Sequence, residues 1–110
     1  MFGIGGTRLK NLSAREVKTQ IADGKAMVVD VREADEFARG HIAGAVNLPL
    51  SRFDPGMLPA PSGAAIILAC AGGRRSAAAF GKCKGVRADV TSHLDGGLQA
   101  WIDAGLPVTR

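Results

Sequence analysis

The chain has 110 residues, of which 46% are hydrophobic and 22% charged, and a formal net charge of +4. That size and composition fit one globular domain around one core and exclude the disordered and fibrous classes. The basic residues are scattered and the aromatics are four Phe, one Trp and no Tyr, which argues against nucleic acid as a partner and suits small anions as well.

No apolar run approaches the ~20 residues needed to cross a bilayer. The start, MFGIGGTRLKNLS, lacks the apolar stretch of a secretory signal. The expectation is a cytoplasmic chain with no membrane partner, organised as a single domain over residues 1–110. Two cysteines, Cys70 and Cys83, are too few for a disulfide framework and are read as free thiols.

Ser13 followed by Glu16 has the form of a capping box, and Val17 and Ile21 with Gly24 beyond them predict a short amphipathic helix. Residues 26–31 (AMVVDV) form a short apolar run of the kind buried on both faces of a parallel sheet, and are taken as the central strand. A helical turn or two over 33–39 stops at Gly40, and a short strand over 45–48 stops at Pro49. The Pro- and Gly-punctuated stretch 51–63 reads as a surface connection with a helical turn near 52–58. Residues 65–69 (AIILA) are the clearest strand and run straight into Cys70; a helix over 76–84, a strand over 89–94, a turn at Asp95-Gly96-Gly97 and a helix over 98–104 complete the chain. Alternating strands and helices predict an α/β fold with a mainly parallel sheet covered on both faces.

The segment Cys70-Ala71-Gly72-Gly73-Arg74-Arg75-Ser76 places a thiol where such sheets bind ligands, beyond the carboxyl end of a strand. Gly72 and Gly73 permit positive φ, so successive N–H groups can turn into one concavity. A helix starting near Ser76 adds its free N–H groups, and Arg74 and Arg75 add two charges. All of these favour the thiolate, so Cys70 is read as a nucleophile and the six residues after it as its anion-binding cradle.

Cys70, Gly73, Arg75 and Ser76 match, position for position, the Cys-x-x-Gly-x-Arg-Ser loop of the rhodanese family. An upstream block (Asp30-Val31-Arg32, Glu36-Phe37, Gly40-His41-Ile42, Gly44-Ala45, Leu48-Pro49) and a downstream block (Leu94, Gly96-Gly97, Ala100-Trp101, Gly105-Leu106-Pro107-Val108) resemble two further signatures of that family. Together the three cover about residues 12–108. The resemblance implies a rhodanese-like α/β domain with a mainly parallel central sheet of about five short strands, flanked by helices on both faces. It also implies a sulfurtransferase: Cys70 takes a sulfane sulfur from a small anionic donor such as thiosulfate, becomes a persulfide, and passes the sulfur to cyanide, a thiol or a protein acceptor. No metal or organic cofactor is implied.

Asp30, Arg32, Glu36 and His41 invite an acid–base reading, but the expectation is that the loop activates the thiolate without a base from among them. Asp30 and Arg32 are therefore read as supporting the site, and His41 as bonding backbone. His41 and His93 with the two cysteines lack the spacing of a zinc site. Gly72-Gly73-Arg74-Arg75 lacks the lysine of a P-loop. Cys83 and Trp101 are read as core. Two other functions stay open: a noncatalytic binding module, and a cysteine-dependent phosphatase. The phosphatase loop has one residue more than the four between Cys70 and Arg75.

Overall fold

An apolar segment with neither Gly nor Pro inside it has to be covered on both sides, and Ala65–Ala69 takes the middle of the sheet as β4. The computed structural model describes residues 8–110; residues 1–7, part of the single-domain range and of the stretch read for a leader, lie outside them. The other strands are β1 (Lys10–Leu12), β2 (Ala26–Asp30), β3 (Val46–Asn47) and β5 (Ser92–Leu94). The five run in the order β1-β5-β4-β2-β3, every neighbouring pair parallel. The helices are α1 (Ala14–Ala22), α2 (Ala34–Arg39), α3 (Arg74–Cys83) and α4 (Gly97–Asp103). The expected parallel α/β architecture is the one that forms.

Period-two alternation sorts the strand side chains onto two faces. Ile66, Leu68 and Cys70 pack with Val29 and Val31 under Ala79, Phe80 and Cys83 of α3. Ile67 and Ala69 pack with Val28 beneath Ala14 and Val17 of α1 and Trp101 of α4. Cys70 thus emerges from the sheet on the α3 side.

The Ser13–Glu16 capping box is complete, with Glu16 N donating to Ser13 Oγ (3.1 Å) and Ser13 N to Glu16 Oε1 (2.8 Å). The stretch after β3 makes two single 3₁₀ turns, Leu50–Arg52 and Pro55–Met57. Where sequence and structure part, the reasons are local or topological. β2 is not the central strand, because the chain returns after β3 to lay β4 between β2 and β5. The last strand is shorter than 89–94, since Arg87 folds onto Asp89 at 2.8 Å and a turn occupies the residues before Ser92. α3 starts at Arg74, two residues before the expected Ser76.

The order of the strands decides where a site can form. The connection from β2 leads toward one edge of the sheet and that from β4 toward the other, so the crevice between their carboxyl ends is the topological switch point. Asp30 ends β2 in register with Ala69, and Cys70 is the next residue of the chain after β4. The C-terminal segment closes the far side: His41 and Thr109 exchange two 2.8 Å backbone hydrogen bonds, and Trp101 Nε1 donates to Pro107 O at 2.8 Å.

Candidate active site

The turn after β4 points its carbonyls one way and its N–H groups the other. Cys70 O accepts from Leu98 N (2.8 Å) and Ala71 O from Gln99 N (3.1 Å), so both carbonyls face the first turn of α4. The N–H groups are left facing the sulfur: Gly73 N lies 3.0 Å and Ser76 N 3.3 Å from Cys70 Sγ, with Ser76 Oγ at 3.5 Å. Gly73, at φ 109°, is the N-cap of α3 and has no side chain to cap it. The Cys70 sulfur does what a Ser or Asp side chain does at other helix starts, accepting an N–H of the first turn near the positive end of the dipole. Only Gly73 of the two loop glycines uses positive φ; Gly72 has an ordinary φ, and a Cβ there meets nothing within 4 Å.

Cys70 is 1% exposed. Burial by itself pushes the thiol up, but the Ser76 hydroxyl and the N–H groups of Ser76, Gly73 and Gly72 outweigh it and bring the thiol below its ordinary value. The loop is therefore able to hold a negative sulfur without a metal. Cys83 contrasts with it: burial pushes its thiol up, and it faces the core from the last turn of α3.

The two arginines have different surroundings. Arg74 is exposed and makes no ion pair among the described residues. Arg75 forks onto Glu36 of α2, Nη1 to Oε1 at 2.7 Å and Nη2 to Oε2 at 3.0 Å, tying the start of α3 to α2. The Arg75 guanidinium holds the Glu36 carboxyl down to about 2, against the desolvation that raises it. A carboxyl depressed on folding stabilises the fold above its unfolded value, ~4.3, and the gain is lost as pH falls toward 2. With side chains 34% and 27% exposed, the pair is worth about 1 kcal/mol. Glu36→Gln is accordingly expected to cost about that much at neutral pH and progressively less as pH falls through about 2, as read from urea midpoints across that range.

Asp30 and Arg32 form a buried pair beside the loop. Arg32 donates from Nε and Nη2 to both Asp30 oxygens (2.8 to 3.1 Å), from Nη2 to Gly40 O (2.7 Å) and from Nη1 to Glu36 O (3.4 Å). These contacts hold the last turn of α2, which carries Glu36. His41 stacks on Phe37 with centroids 3.7 Å apart, and its Nδ1 donates to Phe37 O at 2.8 Å. An open cleft lined by Arg32, Glu36, Arg39, Gly40, Leu98, Ile102 and Val108 lies between α2 and α4. Two further residues, His93 and Gly97, border the loop without any local sequence signal that ties them to it. His93 bonds Ser76, and Gly97 lies so close that a Cβ on it would fall 2.4 Å from Ala71 O.

A cysteine at the switch point of a parallel sheet, its sulfur cupped by a turn and a helix start, defines a cysteine-centred α/β domain. The rhodanese-like domain family model matches residues 13–104, and the chain belongs to that family. It is 30% identical over 95 residues to thiosulfate sulfurtransferase GlpE of Ectopseudomonas mendocina, covering 86% of each. It is 42% identical over 84 residues to an uncharacterized protein of Synechocystis, covering 76% of this chain and 47% of that protein. The chain therefore spans about half the length of that relative. The crystal structure of a rhodanese-related protein from Thermoplasma volcanium matches with a TM-score of 0.76 at 31% identity, covering 91% of this chain and 97% of that one.

Proposed function

We propose that this domain is a sulfurtransferase that carries sulfane sulfur on Cys70 from a small anionic donor such as thiosulfate to a thiophilic acceptor, cyanide or a thiol. The Cys70 thiolate attacks the outer sulfur of the donor. A new S–S bond forms, the donor's S–S bond breaks, and its electron pair leaves on sulfite. The acceptor then attacks the terminal sulfur of the persulfide and Cys70 departs again as thiolate, so no electrons are needed from outside. The observation that carries this reading is the sulfur itself, buried yet surrounded by N–H donors that stabilise its anion.

In this reading Ala71, Gly72, Gly73 and Ser76 supply the cradle, Arg74 offers its charge to the donor, and Arg75 positions the loop through Glu36. Asp30 and Arg32 support it from below. The name of the Ectopseudomonas mendocina relative supports the donor class. Against a cysteine phosphatase stand the four residues between Cys70 and Arg75 and the occupation of the Arg75 fork by Glu36. Against a noncatalytic module stands the activated cysteine. The two free thiols suit a reducing compartment, and the cytoplasm is the proposed location; no helix among the described residues is long and apolar enough to cross a membrane.

Initial rates with thiosulfate and cyanide test the proposal. Parallel-line kinetics are expected, and Arg74→Ala is expected to raise the thiosulfate Michaelis constant about fivefold with little change in kcat, the loss of one exposed charge contact. An intersecting pattern contradicts the double displacement, and an unchanged Michaelis constant removes Arg74 from the donor site.

A further inference from the structure

The sulfur is joined to a line of polar side chains that runs beneath α3 to the edge of the sheet. Ser76 Oγ lies 3.5 Å from Cys70 Sγ and 2.7 Å from His93 Nδ1, and His93 Nε2 lies 2.6 Å from Asn11 Oδ1. Ser76 is 0% and His93 5% exposed. The parallel pairing of β1 with β5 sets Asn11 directly opposite His93. Gly73 borders the ring, a Cβ there meeting His93 Cε1 at ordinary van der Waals distance.

These partners fix the tautomer. Asn11 presents a carbonyl oxygen, so Nε2 carries the ring proton and Nδ1 is an open acceptor facing the Ser76 hydroxyl. Gly73 O, at 3.1 Å, competes for the same hydroxyl hydrogen, but Nδ1 is closer. With its hydrogen toward Nδ1, Ser76 Oγ turns a lone pair to the sulfur.

We propose that His93 is the proton acceptor for the Cys70 thiol, acting through Ser76, with Asn11 as the positioning residue that keeps Nδ1 open. The S–H bond breaks as its proton passes to Ser76 Oγ, the proton already on Ser76 passes to His93 Nδ1, and the S–H electron pair stays on sulfur. The products are a thiolate that now receives the Ser76 hydroxyl and an imidazolium held by Asn11. Every polar group keeps a partner before and after, and nothing enters from outside. The inference rests on the sulfurtransferase reading only for its use, since it determines the pH at which the attacking thiolate exists.

The groups around His93 are compatible with this role. Burial pushes the imidazole below its ordinary value, which keeps the resting ring neutral and works against the imidazolium, while Asp95 in the turn after β5 and the new thiolate favour it. α3 brings Ser76 and, at its start, Arg74 and Arg75; β4 leads into Cys70; β1 brings Asn11 and Lys10, both exposed; residues 97–100 of α4 are uncharged.

The test is the ultraviolet absorbance of the thiolate against pH in a Cys83→Ala background, where Cys70 is the remaining thiol. His93→Gln is expected to raise the Cys70 midpoint by about one unit, a tenfold loss of thiolate below it, because the imidazolium partner is gone. Asn11→Asp places a carboxylate on Nε2, makes the ring more basic, and is expected to bring the thiolate out at lower pH. Midpoints unchanged in both variants overturn the relay. If His93→Gln fails to fold, Asn11→Asp decides: a lowered midpoint supports the relay and an unshifted one overturns it. Thiosulfate loading measured on the same samples separates the two proposals: shifted midpoints without loading in the parent protein keep the relay and remove the sulfur-transfer reading, and loading with unshifted midpoints does the reverse.

Discussion

Arg32→Met is expected to destabilise the domain by about 3–5 kcal/mol, a large share of the ~5–15 kcal/mol that holds a domain of this kind together. The two side chains of the Arg32–Asp30 pair are 7% and 4% exposed, with Nη2 and Oδ2 2.8 Å apart. Removing the guanidinium leaves the Asp30 carboxylate buried with the Arg32 backbone N–H at 3.0 Å as its remaining donor, and it strips Gly40 O of its 2.7 Å partner. The consequence reaches the loop, because the same arginine holds the α2 backbone that carries Glu36, and Glu36 holds Arg75. Urea unfolding measures the loss. Combining Arg32→Met with Asp30→Leu is expected to recover much of it, since replacing both charges by apolar groups leaves no charge stranded. A single-variant loss no greater than that of an exposed pair, about 1 kcal/mol, contradicts this account.

Gly97→Ala is expected to cost about 2–4 kcal/mol and to displace the loop from its sulfur. Gly97 sits at φ 64°, where a side chain is strained, and a Cβ there would fall 2.4 Å from Ala71 O and 2.5 Å from Cys70 O. Those obstacles are the backbone of the loop itself, which cannot retreat without releasing the hydrogen bonds from Leu98 and Gln99 that turn its carbonyls away from Cys70. The variant should therefore lose both unfolding free energy and the depression of the Cys70 thiol. Gly72→Ala is the control: with open space around it, it should change stability by less than about 0.5 kcal/mol. Equal losses in the two variants contradict the packing described.

How much of this was legible in the chain depended on how local the cause was. β4 was readable over its full length because five apolar residues lead into a cysteine and two glycines, a pattern set by neighbours in sequence. β1 carries no strand signal of its own. Its three residues include a single apolar one, and what makes it a strand is its pairing with β5, over 80 residues away. The early start of α3 was hidden for a related reason, since the cap that permits it is a sulfur three residues before Gly73 rather than a Ser or Asp at that position.

The candidate site divides in the same way. Cys70 and its glycine-rich turn announce themselves by composition, whereas the neutralisation of Arg75 by Glu36 spans 39 residues and the contact of His93 with Asn11 spans 82. No spacing rule links such residues until the strand order is known. The sequence offers His93 only as a candidate metal ligand, and its contact with Ser76 appears once β5 is placed next to β4. Gly97 lay within a recognised signature block, but its closeness to the loop carbonyls follows from how α4 begins.

The central claim is that Cys70 carries sulfur, and intact-mass analysis after incubation with thiosulfate tests it most directly. The native protein should gain the mass of a single sulfur atom, lose it again on addition of cyanide, and show no gain when Cys70→Ser is treated in the same way. A native protein whose mass does not change, or a gain that persists in Cys70→Ser, would contradict it.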